Sequence, residues 1–342
     1  MANLRTNKLV GIGSTDAGVV FDGPIKINTQ GAMYFPTGDT SQRGRGRGLY
    51  GGGAMNAAAG QSPANIAYID IQSQGNTTTF GSLTASNRCW IHGFGSATRA
   101  VWSGGSASGG TSSNNIIDYV TIATTANAID FGDATVATFA RASHSNDTRG
   151  ITACGGPAAI NTMEYVTVAT TGNAADFGDA SVGRRGVARM GSTTRGVWAG
   201  GMTPSASDVM DYVTIATTGN ATDFGNLVVA GRHDSGGCSS NTRGIVAGGN
   251  TSPADVNTIQ YITIATTGNA ADFGDLQQVQ EACGSLDNSI RGVFSGSYAN
   301  PASINTMNFI TIATTGNAFD FGDNTASNYA AGGTSDSHGG LS

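Results

Sequence analysis

A fourteen-residue stretch, Tyr212-Val-Thr-Ile-Ala-Thr-Thr-Gly-Asn-Ala-Thr-Asp-Phe-Gly225, has near-copies beginning at Tyr68, Tyr119, Tyr165, Tyr261 and Phe309. The intervals between the six starts are 51, 46, 47, 49 and 48 residues by subtraction. A second marker keeps the same beat: Arg47, Arg99, Arg149, Arg195, Arg243 and Arg291, each followed by Gly or Ala. Two markers in phase mean one supersecondary unit used six times. A period near 48 residues with strand-like content is that of a β-propeller blade rather than a helical solenoid.

One unit shows why. Residues 183–190 are rich in small residues and read as a first strand, and Gly191 to Thr194 as a turn. Arg195 to Gly201 is a second strand closed by a glycine pair. After a variable loop, Met210 to Thr217 is dense in β-branched residues and reads as the third strand. Thr218-Gly219-Asn220 is a hairpin signal, because Gly and Asn tolerate positive φ. Residues 221–227 form the fourth strand. The repeated Phe80, Phe131, Phe177, Phe224, Phe273 and Phe321, with the Tyr opening each copy, are expected to wedge between adjacent blades.

Residues 47–342 are thus read as the propeller and 1–46 as a separate docking segment. Unit one lacks a credible first strand, since Gly-Arg-Gly-Arg-Gly precedes it, while Ala326 to Ser335 continues past the last unit with first-strand composition. The C-terminal segment is therefore expected to supply the inner strand of blade one and close the ring, which removes open sheet edges. In the N-terminal segment, Val19 to Phe21, Ile25 to Ile27 and Ala32 to Phe35 read as short strands. They are too few to bury a core of their own. Phe21, Ile25, Tyr34 and Phe35 are the residues expected to dock it to another chain.

Charged residues are only 12% of the chain and the net charge is −6, which argues against nucleic acid as a partner. No apolar run approaches the ~20 residues of a membrane helix, so no membrane insertion is expected. The start Met1-Ala-Asn-Leu-Arg lacks an apolar signal-peptide core, which predicts synthesis in a cytoplasm. Cys89, Cys154, Cys238 and Cys283 fall in different units with no Cys-x-x-Cys pair and are expected to be buried free thiols. His92, His144, His233 and His338 share no metal-ligand spacing, so no metal site and no cofactor are expected.

The chemistry-bearing residues mostly recur. Asp-Phe-Gly appears in five units, and the pairs Asp130/Asp133, Asp176/Asp179, Asp272/Asp275 and Asp320/Asp323 are equivalent. A catalytic site breaks symmetry whereas a structural device repeats, so these aspartates are assigned to turn capping and hydrogen bonds between strands. The six repeated Arg are assigned to pairing with a neighbouring Asp or carbonyl. An enzyme would need an asymmetric cluster of acids or a metal at the axis, and none is legible. What varies is the loops between second and third strands, and these are expected to carry recognition. Their candidate binding residues are Asn56, Ser108, Asn114, Pro157, Thr203, Ser205, Ser252, Tyr298 and Asn300.

Two resemblances add to this reading. Gly104-Gly105, Gly155-Gly156, Gly200-Gly201 and Gly248-Gly249 closing strand two, with aromatics in strands three and four, resemble the kelch repeat over about residues 47–338. The sixth unit departs, with Gly296-Ser297, and Phe stands where kelch repeats usually have Trp. That resemblance implies an all-β, six-bladed kelch-like propeller and no particular activity. The segment Thr29 to Arg43 and the Thr-Ile-Ala-Thr-Thr-Gly-Asn-Ala repeats resemble those of marine tailed-phage virion proteins. This implies a non-enzymatic structural protein on the virion surface, bound to other virion proteins through its N-terminal segment. A tail- or fibre-associated role in binding a host-surface protein or glycan is expected, with head decoration as the alternative. A glycan-cleaving propeller enzyme and a cytoplasmic kelch-type adaptor are the readings of other classes.

Overall fold

The structure is a computed structural model that describes residues 46–54, 64–86, 88–107, 112–228, 231–299 and 302–341. Among these, regular secondary structure is entirely β, and it forms six four-stranded antiparallel sheets and one two-stranded ribbon. The chain is a six-bladed β-propeller. Blade four is representative, with an inner strand Ala188–Gly191, a second strand Arg195–Ala199, a third Val209–Thr214 and an outer strand Thr222–Asn226. The expected third strand is shortened at its C-terminal end. Ile215 is already in the turn and fully buried, so the connection to the outer strand is longer than a tight hairpin.

Blade one takes its inner strand, Gly332–Ser335, from the far end of the chain, paired antiparallel with Gly48–Gly51 of Arg47–Gly51. The closure expected from the unpaired C-terminal segment is what the fold uses. The N-terminal segment, with Phe21, Ile25, Tyr34 and Phe35, lies outside the described residues.

The core lies between blades. Phe177 of blade three packs in one cluster with Val187, Trp198, Val213 and Ile215 of blade four, and equivalent clusters recur around the ring. The third and outer strands slip register at one point in every blade. In blade three Met163 faces Gly178 and Glu164 faces Asp176, so Phe177 is the extra residue of a bulge. The bulge turns Phe177 into the interface, where it is 2% exposed. Gly178 follows at φ 135°, and a Cβ there would sit 2.5 Å from the Gly219 carbonyl oxygen of the next blade. The glycine of Asp-Phe-Gly is therefore a point of close backbone approach.

That approach is part of an interblade belt. Gly219 N–H donates to Phe177 O at 2.7 Å, and Asp179 N–H donates to Asn220 Oδ1 at 3.1 Å. The second contact recurs at Asn76, Asn127, Asn173, Asn269 and Asn317. This corrects the role assigned to the aspartates. Asp130, Asp133, Asp176 and Asp179 are exposed, and the second Asp of each pair joins the belt through its backbone N–H, not its carboxylate.

The repeated arginines pair with carbonyls and not with the repeated Asp. Arg195 lies 4.6 Å over the Tyr212 ring of its own blade and donates to Ile264 O and Ala265 O of the next. Arg47, Arg149, Arg243 and Arg291 do the same, with Phe309 as the last platform, and Arg99 stacks likewise and donates to Val168 O. Each Tyr is half-buried, edge-on to its Phe and capped by its Arg, so it sits at the rim of the interface rather than inside it. Arg195→Ala is expected to cost about 2 kcal/mol in urea denaturation, from the cation–π contact and charged hydrogen bonds together. Arg195→Lys should recover less than half, because an ammonium has no planar group to stack on the Tyr212 ring while it donates.

A second arginine series is fully buried. Arg88 pairs with Asp118 at 2.7 Å, Arg184 with Asp211 at 2.5 Å, and Arg141 with Glu164. Each guanidinium is fixed between its inner-strand approach and the third strand. Arg184 also donates to Gly200 O and Val209 O, tying three strands of one blade together.

Candidate functional site on the loop face

Just before each inner strand one residue takes a left-handed conformation: Trp90, Ala140, Gly186, Asp234, Ala282 and Ala330, with φ between 52° and 66°. Their backbones form a closed ring about the axis. Ala140 N–H donates to Trp90 O, Gly186 to Ala140, Asp234 to Gly186, Ala282 to Asp234, Ala330 to Ala282 and Trp90 to Ala330, at 2.7–2.9 Å. Five non-glycine residues hold a conformation disfavoured for L side chains, because the ring satisfies six N–H and six carbonyl groups at once.

The residue preceding each ring member bridges to the loop joining the second and third strands of its own blade. These residues are Cys89, Phe139, Arg185, His233, Glu281 and Tyr329. One backbone position thus carries six different side chains on one mouth of the propeller. Here the sixfold pattern breaks at a mouth of the ring, and specificity is expected where a constant frame presents varied groups.

The chemistry concentrates at the junction of blades five and six. His233 Nδ1 lies 2.7 Å from Asp234 Oδ2, and His233 Nε2 lies 3.2 Å from Ser252 Oγ. His233, Asp234 and Glu281 each offer a donor atom within 4.8 Å of the other two. Burial, then the charges of Asp234 and Asp255, push the Glu281 carboxyl up to about 7, with His233 and an Asn250 hydrogen bond opposing. Burial works against protonation of His233, but the hydrogen bond and charge of Asp234 outweigh it and raise that imidazole. Beside this trio lies a depression of about 100 Å³ lined by Trp90, Phe139, Ala140, Arg185, Met202, His233 and Asp234. Tyr329 stands edge-on to Trp90 at 6.2 Å and packs on Tyr298 at 5.5 Å, which extends an aromatic surface along the same mouth.

The sequence expectations meet this site in part. Ser252 and Tyr298 reach it, through His233 and Tyr329 respectively. Thr203 and Ser205 form a two-residue ribbon whose Met202 lines the depression. Pro157 is exposed in blade three's loop, and Asn114 is half-buried, its backbone bonded to Gly105 O. Asn56, Ser108 and Asn300 lie outside the described residues. Two corrections follow. An asymmetric group of titratable residues does exist beside the backbone ring, because the packing of blade six on blade five brings Glu281 beside His233 and Asp234. And the glycine pair of blade three is displaced by one: Cys154, at φ 65°, and Gly155 take the places of Gly200 and Gly201. The strongest signal missed was the 48-residue spacing of Arg185, His233, Glu281 and Tyr329, which are unlike one another and so invisible to a search for repeats. The four cysteines are free and buried, as expected.

At the other end of the inner strands the axis is filled. Arg189 reaches across it to Ser285 O and Gly333 O, at 3.0 and 2.9 Å. His338, beyond the last strand, meets Gly95 O at 3.0 Å, and its ring lies 6.0 Å from that of His144. Burial pushes His144 down to about 4, against its bond to Ser192 O and with help from Arg189. An unfolded histidine titrates near 6.5. The fold therefore binds the neutral ring, and this contribution is complete above pH 6.5 and lost as pH falls towards 4. His144→Gln keeps an N–H donor for Ser192 but cannot titrate. The stability of the wild type relative to this variant should fall by about 1.4 kcal/mol per pH unit across that window. Parallel urea titrations at pH 7 and pH 4.5 measure it, and an unchanged difference would contradict the assignment.

The chain matches no family model, and no curated protein is similar to it. Solved structures do resemble it in fold. One, of a protein called YjhT, superimposes with a TM-score of 0.61 at 12% identity, over 77% of this chain and 94% of that one. At that identity the similarity supports the propeller fold alone.

Proposed function

We propose that this chain is a binding module of a tailed-phage particle, tail- or fibre-associated, whose propeller recognises a host-surface glycan or protein through its loop face. One observation carries the recognition role: at six equivalent backbone positions the part-exposed Arg185, His233, Glu281 and Tyr329 are unlike one another, beside a depression walled by Trp90, Phe139 and Arg185. Aromatic faces with a cation and carboxylates beside them suit a hydroxyl-rich ligand, which needs both stacking and directed hydrogen bonds. The virion assignment rests on the resemblance of the repeats and of residues 29–43 to phage structural proteins. Residues 1–46 then serve to attach the propeller to other virion proteins.

The test is adsorption of the purified chain to host envelopes, with Trp90→Ala and Arg185→Ala as variants. Saturable binding weakened by both supports the reading; binding indifferent to both refutes it. Copy number in purified particles separates a tail appendage, present in few copies, from head decoration, present in hundreds. A second reading has its own observation. Glu281, titrating near 7 beside Asp234, is what a general acid–base pair acting on a glycoside needs. Release of reducing sugars from host glycans by the chain, abolished in Glu281→Gln, would favour that reading.

A further inference from the structure

We propose that His233, Asp234 and Glu281 form a binding site for one divalent transition-metal ion of the zinc class. The three donors are an imidazole and two carboxylates, the mixed nitrogen and oxygen set that suits a borderline cation. One atom from each lies within 4.8 Å of the others. Two donors ~2.1 Å from a common zinc ion stand about 3–4 Å apart, so closing on a metal takes only small side-chain rotations.

The frame that holds them is rigid for reasons independent of any metal. Asp234 is a member of the six-residue backbone ring and is fixed in its left-handed conformation there. His233 pairs with Asn250 through two backbone bonds of 3.0 and 2.9 Å, and Glu281 pairs with Tyr298 through two of 3.0 Å. The donors are therefore anchored by three different backbone contacts, and their convergence does not depend on a flexible loop. The imidazole is also oriented as a ligand requires. Its Nε2 faces Ser252 Oγ while its Nδ1 points at the carboxylate of Asp234. A histidine ligand commonly has its second nitrogen held in this way by an outer partner. Asn250, the backbone partner of His233, donates from Nδ2 to Asp255 Oδ1 at 2.8 Å.

The convergence is specific to one interface. At the positions equivalent to His233 and Glu281 the other blades carry Arg185, Phe139, Cys89 and Tyr329. At the position equivalent to Asp234 they carry Ala140, Ala282, Ala330, Gly186 and Trp90. Among the described residues, only the junction of blades five and six assembles two carboxylates with an imidazole, and it does so at the edge of the depression. Side-chain exposures of 13% for His233 and 16% for Asp234 leave the group reachable from solvent yet largely shielded. His233 and Asp234 both line that depression, from which water or a ligand hydroxyl would complete the shell.

The other histidines do not confuse the test. His144 and His338 are buried at the opposite end of the inner strands, and His92 is in an inner strand. The full chain, stripped with EDTA and dialysed, is titrated with zinc chloride by calorimetry and by thermal melting. One equivalent per chain is expected, with a melting temperature that rises with zinc concentration as binding to the folded state alone requires. Cobalt substituted for zinc should give visible d–d absorption. His233→Gln and Glu281→Gln should each weaken zinc binding by more than about tenfold, the loss that even an outer-shell partner can produce. Circular dichroism confirms that each variant folds, and Asp234→Asn serves if one does not. Substoichiometric binding by the wild type, or wild-type affinity in the folded variants, overturns the proposal.

Discussion

Deletion of residues 325–342 is expected to abolish the single cooperative unfolding transition of the propeller. The loss is far larger than four residues of strand suggest, because distant blades use the same segment. Gly332–Ser335 pairs with blade one, and Gly332 O accepts the indole N–H of Trp102 in blade two at 2.9 Å. Gly333 O accepts from Arg189 of blade four, across the axis. Asp336 Oδ1 accepts the N–H groups of Gly46 and Arg47, and Ala330 is one link of the backbone ring. Removing the segment leaves buried donors without acceptors, each costing about 1–3 kcal/mol. It also exposes the inner face of blade one. The sum is comparable with the whole stability of a domain, about 5–15 kcal/mol. Urea denaturation followed by tryptophan fluorescence reports it directly, since Trp102 and Trp198 are fully buried. A truncated chain that melts within a few degrees of the full one would show that the closure is dispensable.

Asp211→Ala is the single substitution with the largest expected effect. Arg184 and Asp211 are both fully buried and 2.5 Å apart, and Asp211 also accepts from Ser181 Oγ. Taking away the carboxylate leaves a guanidinium in the interior with only carbonyls to meet it, a loss of about 3–5 kcal/mol. The pair itself need not be a net gain, because both charges were drawn out of water. The double variant Arg184→Met with Asp211→Leu should therefore recover most of the loss. Blade five shows what the missing acid means. Gln260 stands there, and burial pulls the Arg232 guanidinium down to about 10. Equilibrium unfolding of the two single variants and the double variant closes the cycle. A loss under about 1 kcal/mol for Asp211→Ala would mean that water enters the site and screens the charge.

Recurrence explains which parts of this molecule were legible. Blade number, strand order, the wedge of Phe177 and its equivalents, and closure through Gly332–Ser335 all follow from spacing, because every blade must satisfy the same neighbour in the same way. The girdle of Arg195 and its counterparts was legible as a device, but its partners were not. That it binds carbonyls depends on where the next blade's turn lies. The exposed carboxylates of Asp-Phe-Gly-Asp were misassigned for the same reason: the bulge at Phe177 directs the backbone N–H, not the carboxylate, towards Asn220. Buried Arg88, Arg184 and Arg232 keep the beat too, with Thr138 at their place in blade three and Arg141 three residues further on, yet composition marks arginine as a surface residue until its partner is seen.

By itself the sequence determined the propeller, since a hydrophobic pattern that repeats six times can be buried only by six copies packed against one another in a closed ring. Only the tertiary structure decided what stands at the mouth of that ring. His233 and Glu281 are 48 residues apart and unlike in kind, and nothing local joins them. They meet because blade five and blade six pack side by side, joined in the backbone ring by the Ala282 N–H to Asp234 O bond.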